Sequence, residues 1–173
     1  MTKNRSQIRL LFLDVDGVLT DGCITFNDRG EEIKTFHVKD GLGLKMLMRA
    51  GVEVAIITGR TSGALIHRAK ELGIKELYQG VSDKSGLCRE ILLSKGVDPR
   101  EAACMGDDLP DLAMFKEVGV RIAVSDAAEE LRGAADLVTV HSGGHGAVRE
   151  ACEWILKRQG KWPKNGFTEL AGG

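Results

Sequence analysis

The chain of 173 residues carries 24 Lys and Arg against 25 Asp and Glu, a formal net charge of -1, so it has no broad positive field for nucleic acid or an anionic membrane surface. At 43% hydrophobic composition it can bury a core of its own, and its length fits one domain over 1–173 rather than two. The four cysteines, Cys23, Cys88, Cys104 and Cys152, are widely spaced with no Cys-x-x-Cys pair, which argues against a zinc ribbon or disulfide framework and suits a reducing cytoplasm.

The first apolar run, IRLLFLDV, predicts a strand; Asp14 interrupts it well before the length of a signal peptide, and nothing later is long enough to span a bilayer. CITFN and EEIKTFHV, either side of DRG and its Gly30, predict a β-hairpin over about 22–38 that projects from the domain. DGLGLKMLMRA then has helical periodicity, VEVAIIT reads as a strand, SGALIHRAKEL as a helix, and a short strand precedes Gly80. A helix beginning at Lys84, KSGLCREILLS, leads to strands AACMG, VRIAV and ADLVTV and to a last helix, GAVREACEWILKR. Gly51, Gly73, Gly96 and Gly119 stand where helix C-caps are expected. Beyond Gly160 the tail, about 160–173, has Pro, Gly and polar residues without periodicity, which predicts a flexible end or an arm that orders on a partner.

Strands alternating with helices imply an α/β fold: a doubly wound, Rossmann-like parallel sheet sandwich, here with a projecting hairpin. The gap between Asp16 and Thr58 holds only a hairpin and a helix, and that between Thr58 and Lys84 only a helix and a short strand. Neither leaves room for a cap domain.

Ligands of open parallel sheets bind outside the carboxyl ends of the strands, and the residues following each strand here are charged. Asp14-Val15-Asp16-Gly17 follow the first strand, Thr58-Gly59-Arg60 the second, and Gly106-Asp107-Asp108 the fourth, with Asp111 soon after. Carboxylates crowded at one edge repel one another and are costly to bury unpartnered, which calls for a cation. Hard oxygen donors suit magnesium, whereas zinc would want His or Cys. A carboxylate attacking phosphorus needs cancelled repulsion, donors for the phosphoryl oxygens and an acid for the leaving alkoxide. In that scheme Asp14 attacks, magnesium and Lys84 neutralise charge, and Thr58 with the amides after Asp14 donate. Asp16 protonates the leaving oxygen and then activates water. Each segment alone also reads as cap or turn chemistry, and it is their joint occurrence at one sheet edge that points to a site. His67 and His145 read as surface residues, and His37 as a hairpin residue near the site mouth.

These segments carry a resemblance. DVDGVLTDG, IITGR, SDK and GDDLPD resemble, in order, the four motifs of the haloacid dehalogenase phosphatases. The FHVKDGLG segment after the hairpin, TGRTSGALIHRAKELGI and GGHGAVREACEWILKRQGK are similar to the capless branch of 3-deoxy-D-manno-octulosonate 8-phosphate phosphatases, and the likeness covers roughly residues 8 to 161. The resemblance implies that Asp14 becomes the phospho-aspartate and Asp16 the general acid and base. It implies magnesium on the Asp14 carboxylate, the Asp16 backbone carbonyl and the Asp107 carboxylate, with Thr58 and Lys84 on the phosphoryl group. Asp108 or Asp111 would orient Lys84 or metal-bound water. It further implies a homotetramer in which hairpins form a central barrel and a neighbouring subunit helps close the site, and a role in making the sugar acid that joins lipid A to lipopolysaccharide. The exposed apolar residues expected of the hairpin, Ile24, Phe26, Ile33, Phe36 and Val38, suit that assembly. Arg60 is placed either to pair with a substrate carboxylate or to brace its loop. Related enzymes acting on nine-carbon sugar acid 9-phosphates share these motifs.

Rival readings are a phosphorylatable receiver domain, a dinucleotide-binding dehydrogenase and a non-catalytic regulatory domain of a sugar nucleotidyltransferase. A receiver would present its acidic pair early and its lysine last, the reverse of Lys84 preceding Asp107 and Asp108. A dehydrogenase would show G-x-G-x-x-G after the first strand. The complete set of motifs and the chain length favour a free enzyme over the regulatory domain.

Overall fold

The computed structural model describes residues 7–163. Its main sheet runs in the order β5-β4-β1-β6-β7-β8, with every pairing parallel. The strands are β1 (Leu10–Leu13), β4 (Glu53–Ile57), β5 (Glu76–Tyr78), β6 (Ala102–Gly106), β7 (Val120–Ala123) and β8 (Leu137–Val138). The order reverses at β1, between β4 and β6, where a doubly wound sheet opens its ligand crevice.

Leu10, Leu11, Phe12 and Leu13 are all fully buried although successive side chains point to opposite faces, so both faces of β1 are covered. The covering helices form two contacting groups. One joins α1 (Val38–Arg49), α2 (Gly63–Leu72) and α6 (Ala147–Arg158); the other joins α3 (Lys84–Lys95) with the short α4 (Leu112–Phe115) and α5 (Glu129–Ala134). Gly51, Gly73 and Gly96 have left-handed backbones after α1, α2 and α3, as their positions predicted. Gly119 differs. Its φ is not positive, and a Cβ there would stand 2.7 Å from the Arg100 Cα, so close backbone approach explains this glycine.

Asp40 on α1 joins the packing to hydrogen bonding. It is 1% exposed, and its carboxylate accepts from the Arg149 amide at 2.8 Å, supplying an acid to the amino end of α6, where Gly146 has no side chain to cap with.

The hairpin is slighter than expected. Its strands, β2 (Thr25–Phe26) and β3 (Glu32–Ile33), pair only Thr25 with Ile33 and Phe26 with Glu32, around a turn whose Gly30 has φ 76°. Val38 belongs to α1, and Phe36 is partly buried against the core with the Arg68 guanidinium over its ring, so the exposed apolar set on the hairpin is Ile24, Phe26 and Ile33. At the other end, the first residues of the expected free tail are docked. Lys161 Nζ donates to the Ala50 carbonyl at 2.8 Å, and Trp162 packs on the core beneath Arg149 and Lys157. The rest of that tail, 164–173, lies outside the described residues.

Candidate active site

The loops after β1, β4, β5 and β6 meet at one edge and line a cleft of about 630 Å³. Asp14, Asp16, Thr58, Lys84, Asp107 and Asp111 all border it. The sequence places these residues as far as 97 positions apart, and parallel strands carry them together.

Asp14 follows β1, tied by its amide to the Met105 carbonyl of β6 at 3.1 Å. Lys84, at the start of α3, donates at 2.7 Å both to Asp14 and to Asp111. Asp111 is 1% exposed, and its second oxygen accepts from the Asp107 amide at 3.0 Å. Such an approach needs Gly106, since a Cβ there would stand 2.5 Å from that of Asp111. Gly17 is constrained likewise: its φ is +84°, and a Cβ would meet Asp107 Oδ2 at 2.0 Å. Of the two acids expected to orient Lys84, Asp111 makes the contact, while Asp108 is exposed and caps its own turn by accepting from the Leu109 amide.

Ligand oxygens of Asp14, Asp107 and Asp111 lie within 4.8 Å of one another. Burial first, then the charge of Asp111, push the Asp14 carboxyl up to about 6 despite the pull of Lys84. Burial again, then Asp111 and Asp14, lift Asp107 to about 8. Burial acts to lower the Lys84 ammonium, but Asp14 and Asp111 outweigh it and hold the group above the usual lysine range. Three acids and one ammonium leave an excess of negative charge on hard oxygen donors, so the donor set fits a divalent cation such as magnesium.

Thr58 is 3% exposed, and its hydroxyl oxygen accepts from the Arg60 amide at 3.2 Å, which leaves its own proton free to donate into the cleft. The Thr58-Gly59-Arg60 loop is held by the Val81 amide on the Thr58 carbonyl and the Gly80 amide on the Arg60 carbonyl. Within the loop after Asp14, the amides of Val18, Leu19 and Thr20 all donate to the Val15 carbonyl, so they are spent within the turn.

Asp16 has surroundings that sequence reasoning missed. Its Oδ1 accepts from Lys34 Nζ, and Arg60 Nε stands 3.7 Å from its Oδ2. Glu32 completes the group, 2.6 Å from Arg60 and 3.4 Å from Lys34. Hydrogen bonding to Arg60 holds the Glu32 carboxyl below its usual range. Glu32 and Lys34 both come from the EEIKTF run, where alternate positions share a side; charged residues face the site there while Ile33 is 50% exposed. That inverted alternation was the available signal. Arg60 therefore takes the second of its expected roles in this structure, bracing its loop against Glu32. His37 is not at the site mouth: it precedes α1 with Nδ1 4.0 Å from Asp40, away from the residues lining the cleft. His67 and His145 are exposed, as expected.

Comparison with known proteins places the chain in a family. The family model of the haloacid dehalogenase-like hydrolases matches residues 76–150. The chain is 47% identical to the 3-deoxy-D-manno-octulosonate 8-phosphate phosphatase of Yersinia pestis, over 90% of this chain and 83% of that protein. Among solved structures, the Moraxella catarrhalis phosphatase of that name, in complex with magnesium, phosphate and a KDO molecule, superposes with a TM-score of 0.88 at 45% identity, covering 91% of each chain. The cobalt-bound Haemophilus influenzae phosphatase gives 0.89 at 42% identity, over 94% of this chain and 95% of that one. Likeness of this extent sets aside the receiver, dehydrogenase and regulatory-domain readings. The chain belongs to the haloacid dehalogenase-like hydrolases, within the family of 3-deoxy-D-manno-octulosonate 8-phosphate phosphatases.

Proposed function

We propose that this protein is a magnesium-dependent phosphatase that hydrolyses 3-deoxy-D-manno-octulosonate 8-phosphate to the free sugar acid and phosphate. The observation that carries the reading is Lys84 bridging Asp14 and Asp111 at 2.7 Å beside Asp107, in a chain 47% identical to phosphatases of that specificity. The product is the sugar acid that joins lipid A to lipopolysaccharide.

Asp14 is the nucleophile. Its carboxylate oxygen bonds to phosphorus as the bond from phosphorus to the sugar oxygen breaks, and the Asp16 carboxyl gives that oxygen its proton. Asp16 then takes a proton from water as the water oxygen attacks the phospho-aspartate, freeing Asp14 and phosphate. Lys84 holds Asp14 in place and donates to the transferring group; the Thr58 hydroxyl donates to a phosphoryl oxygen. Gly59 and Arg60 line the cleft beside Thr58 and border the substrate. The Asp14 and Asp107 carboxylates and the Asp16 backbone carbonyl are the ligands for magnesium, which supplies charge neutralisation between the acids and the phosphate. Asp111 orients Lys84, and Asp108 stands at the rim.

The same reading takes the protein as a one-domain cytoplasmic enzyme that assembles as a homotetramer through its hairpins. Four free cysteines support a reducing compartment, and no described helix is long and apolar enough to cross a membrane. The outward faces of Ile24, Phe26 and Ile33, each at least 50% exposed, support burial against other copies. Sedimentation of the wild type should give the tetramer, and Phe26→Glu a smaller particle; an active wild-type monomer refutes the assembly. Phe36 is unsuited to that test, since its substitution would injure the protein's own core.

The decisive assay is phosphate release from the eight-carbon sugar acid 8-phosphate with magnesium, beside a nine-carbon sugar acid 9-phosphate. Preference for the nine-carbon substrate would move the assignment to that neighbouring specificity. Asp14→Asn should abolish turnover while leaving the fold intact, and substantial remaining activity would overturn the nucleophile assignment.

A further inference from the structure

We propose that Lys34, on the hairpin, is a positioning residue for Asp16: it holds the general acid and base in the orientation that protonates the leaving oxygen. The inference rests on the phosphatase reading above and adds to it a residue outside the four motif segments.

Lys34 lies within the projecting hairpin segment, yet its side chain is 3% exposed. An ammonium taken out of water needs charged partners, and Lys34 has two, Asp16 and Glu32. Its contact with Asp16 falls on Oδ1 alone. A charge-assisted hydrogen bond to one carboxylate oxygen removes the freedom of the side chain to rotate away, and it leaves the other oxygen to carry the proton. Among the described residues, the charged group near that second oxygen is Arg60, at 3.7 Å, beyond hydrogen-bonding distance. Glu32 fixes both cations, at 2.6 Å to Arg60 and 3.4 Å to Lys34, so each is anchored to the other across the cleft rim.

Asp16 serves two steps, but hydrolysis of the phospho-aspartate is common to every substrate, so the consequence that separates substrates falls on the first. As the bond between phosphorus and the sugar oxygen breaks, an alkoxide leaves, and an alkoxide is a poor leaving group unless Asp16 delivers its proton on time. A misplaced acid therefore slows release of an alcohol far more than release of a nitrophenolate, which departs without a proton. Damage to the fold or to Asp14 would slow both alike.

The test compares Lys34→Met, Lys34→Gln and Lys34→Arg with the wild type on two substrates, 3-deoxy-D-manno-octulosonate 8-phosphate and p-nitrophenyl phosphate, with magnesium. Thermal melting establishes which variants fold, and the ratio of the two activities is read in those that do. Met and Gln should lower kcat/KM, which reports the steps up to departure of the leaving group, roughly tenfold to hundredfold on the sugar phosphate. On p-nitrophenyl phosphate they should lose less than about threefold. Arg should recover most of the difference. Equal losses on both substrates, or no loss on either, overturn the proposal, as does failure of all three variants to fold, which would make Lys34 a structural residue. A wild type that releases phosphate from p-nitrophenyl phosphate but not from the sugar acid phosphate would sink the substrate assignment instead, while the variants' behaviour toward other alkyl phosphates would still decide the role of Lys34.

Discussion

Lys84→Met removes one cation from between two acids, and the structure sets the size of the result. The Asp14 and Asp111 side chains are 9% and 1% exposed and each lies 2.7 Å from the ammonium, so neither can turn to water when it goes. Stripping one partner from a buried ion pair costs about 3–5 kcal/mol. Protonation limits the loss. Burial and Asp111 already push Asp14 up to about 6 with Lys84 present, and without it the carboxyl titrates higher still. Near pH 6 Asp14 then becomes neutral, which recovers about 1.4 kcal/mol for each tenfold gain in its affinity for the proton. The expected cost is thus largest at pH 8 in EDTA and smaller at pH 6. Adding Asp111→Asn removes one of the stranded charges while keeping an acceptor for the Asp107 amide. The double variant should then regain about 1–3 kcal/mol over additivity. Urea unfolding followed by the fluorescence of Trp154 and Trp162, both packed against the core, measures all four proteins. A loss below about 1 kcal/mol at pH 8, or strict additivity in the double variant, would refute the shared-cation account.

Three more outcomes are expected. In EDTA, Asp107 and Asp14 hold folded-state values of about 8 and about 6 against an ordinary 3.8, so the folded protein binds more protons than the unfolded chain between those limits. Stability is therefore fully present below about pH 4 with respect to these groups and is lost as pH rises toward 8; magnesium should flatten that fall in melting temperature, and a profile rising from pH 5 to 8 in EDTA would contradict it. Gly143→Ala would place a Cβ 1.7 Å from the Gly17 carbonyl oxygen, forcing apart the loops that frame Asp14; an expected loss of about 1–3 kcal/mol with a fall in kcat is checked by melting and phosphate release. Asp40→Ala should cost about 1–2 kcal/mol by uncapping α6 and leave kcat unchanged, since Asp40 lies outside the cleft.

The parts of this fold legible in the sequence were those governed by local pattern. Continuous apolar runs announced β1, β4 and β6 because a sheet covered on both faces has no polar side to alternate with. The acids at their ends announced the cleft because parallel strands deliver their carboxyl ends to one edge. Other features depend on partners far along the chain. Asp40 caps a helix 109 residues away, and Gly119 yields to the backbone of Arg100; in sequence one looked like an ordinary helical acid and the other like a helix end. The choice between Asp108 and Asp111 also required coordinates, since spacing places both near Lys84 and only packing buries one of them. Glu32 and Lys34 were readable in principle, since an apolar side expected to face outward leaves the alternate charged residues facing the domain, but their partners Asp16 and Arg60 lie elsewhere in the chain and only the fold brings them together.

That convergence bears on protein engineering. Because Glu32 of β3 and Lys34 just beyond it reach Arg60 and Asp16, the projecting arm is wired into the reaction centre and is no detachable handle. A chimaera that borrows this arm from another phosphatase will import foreign charges onto its own proton donor. The exchange should succeed only when positions 16, 32, 34 and 60 travel as one module.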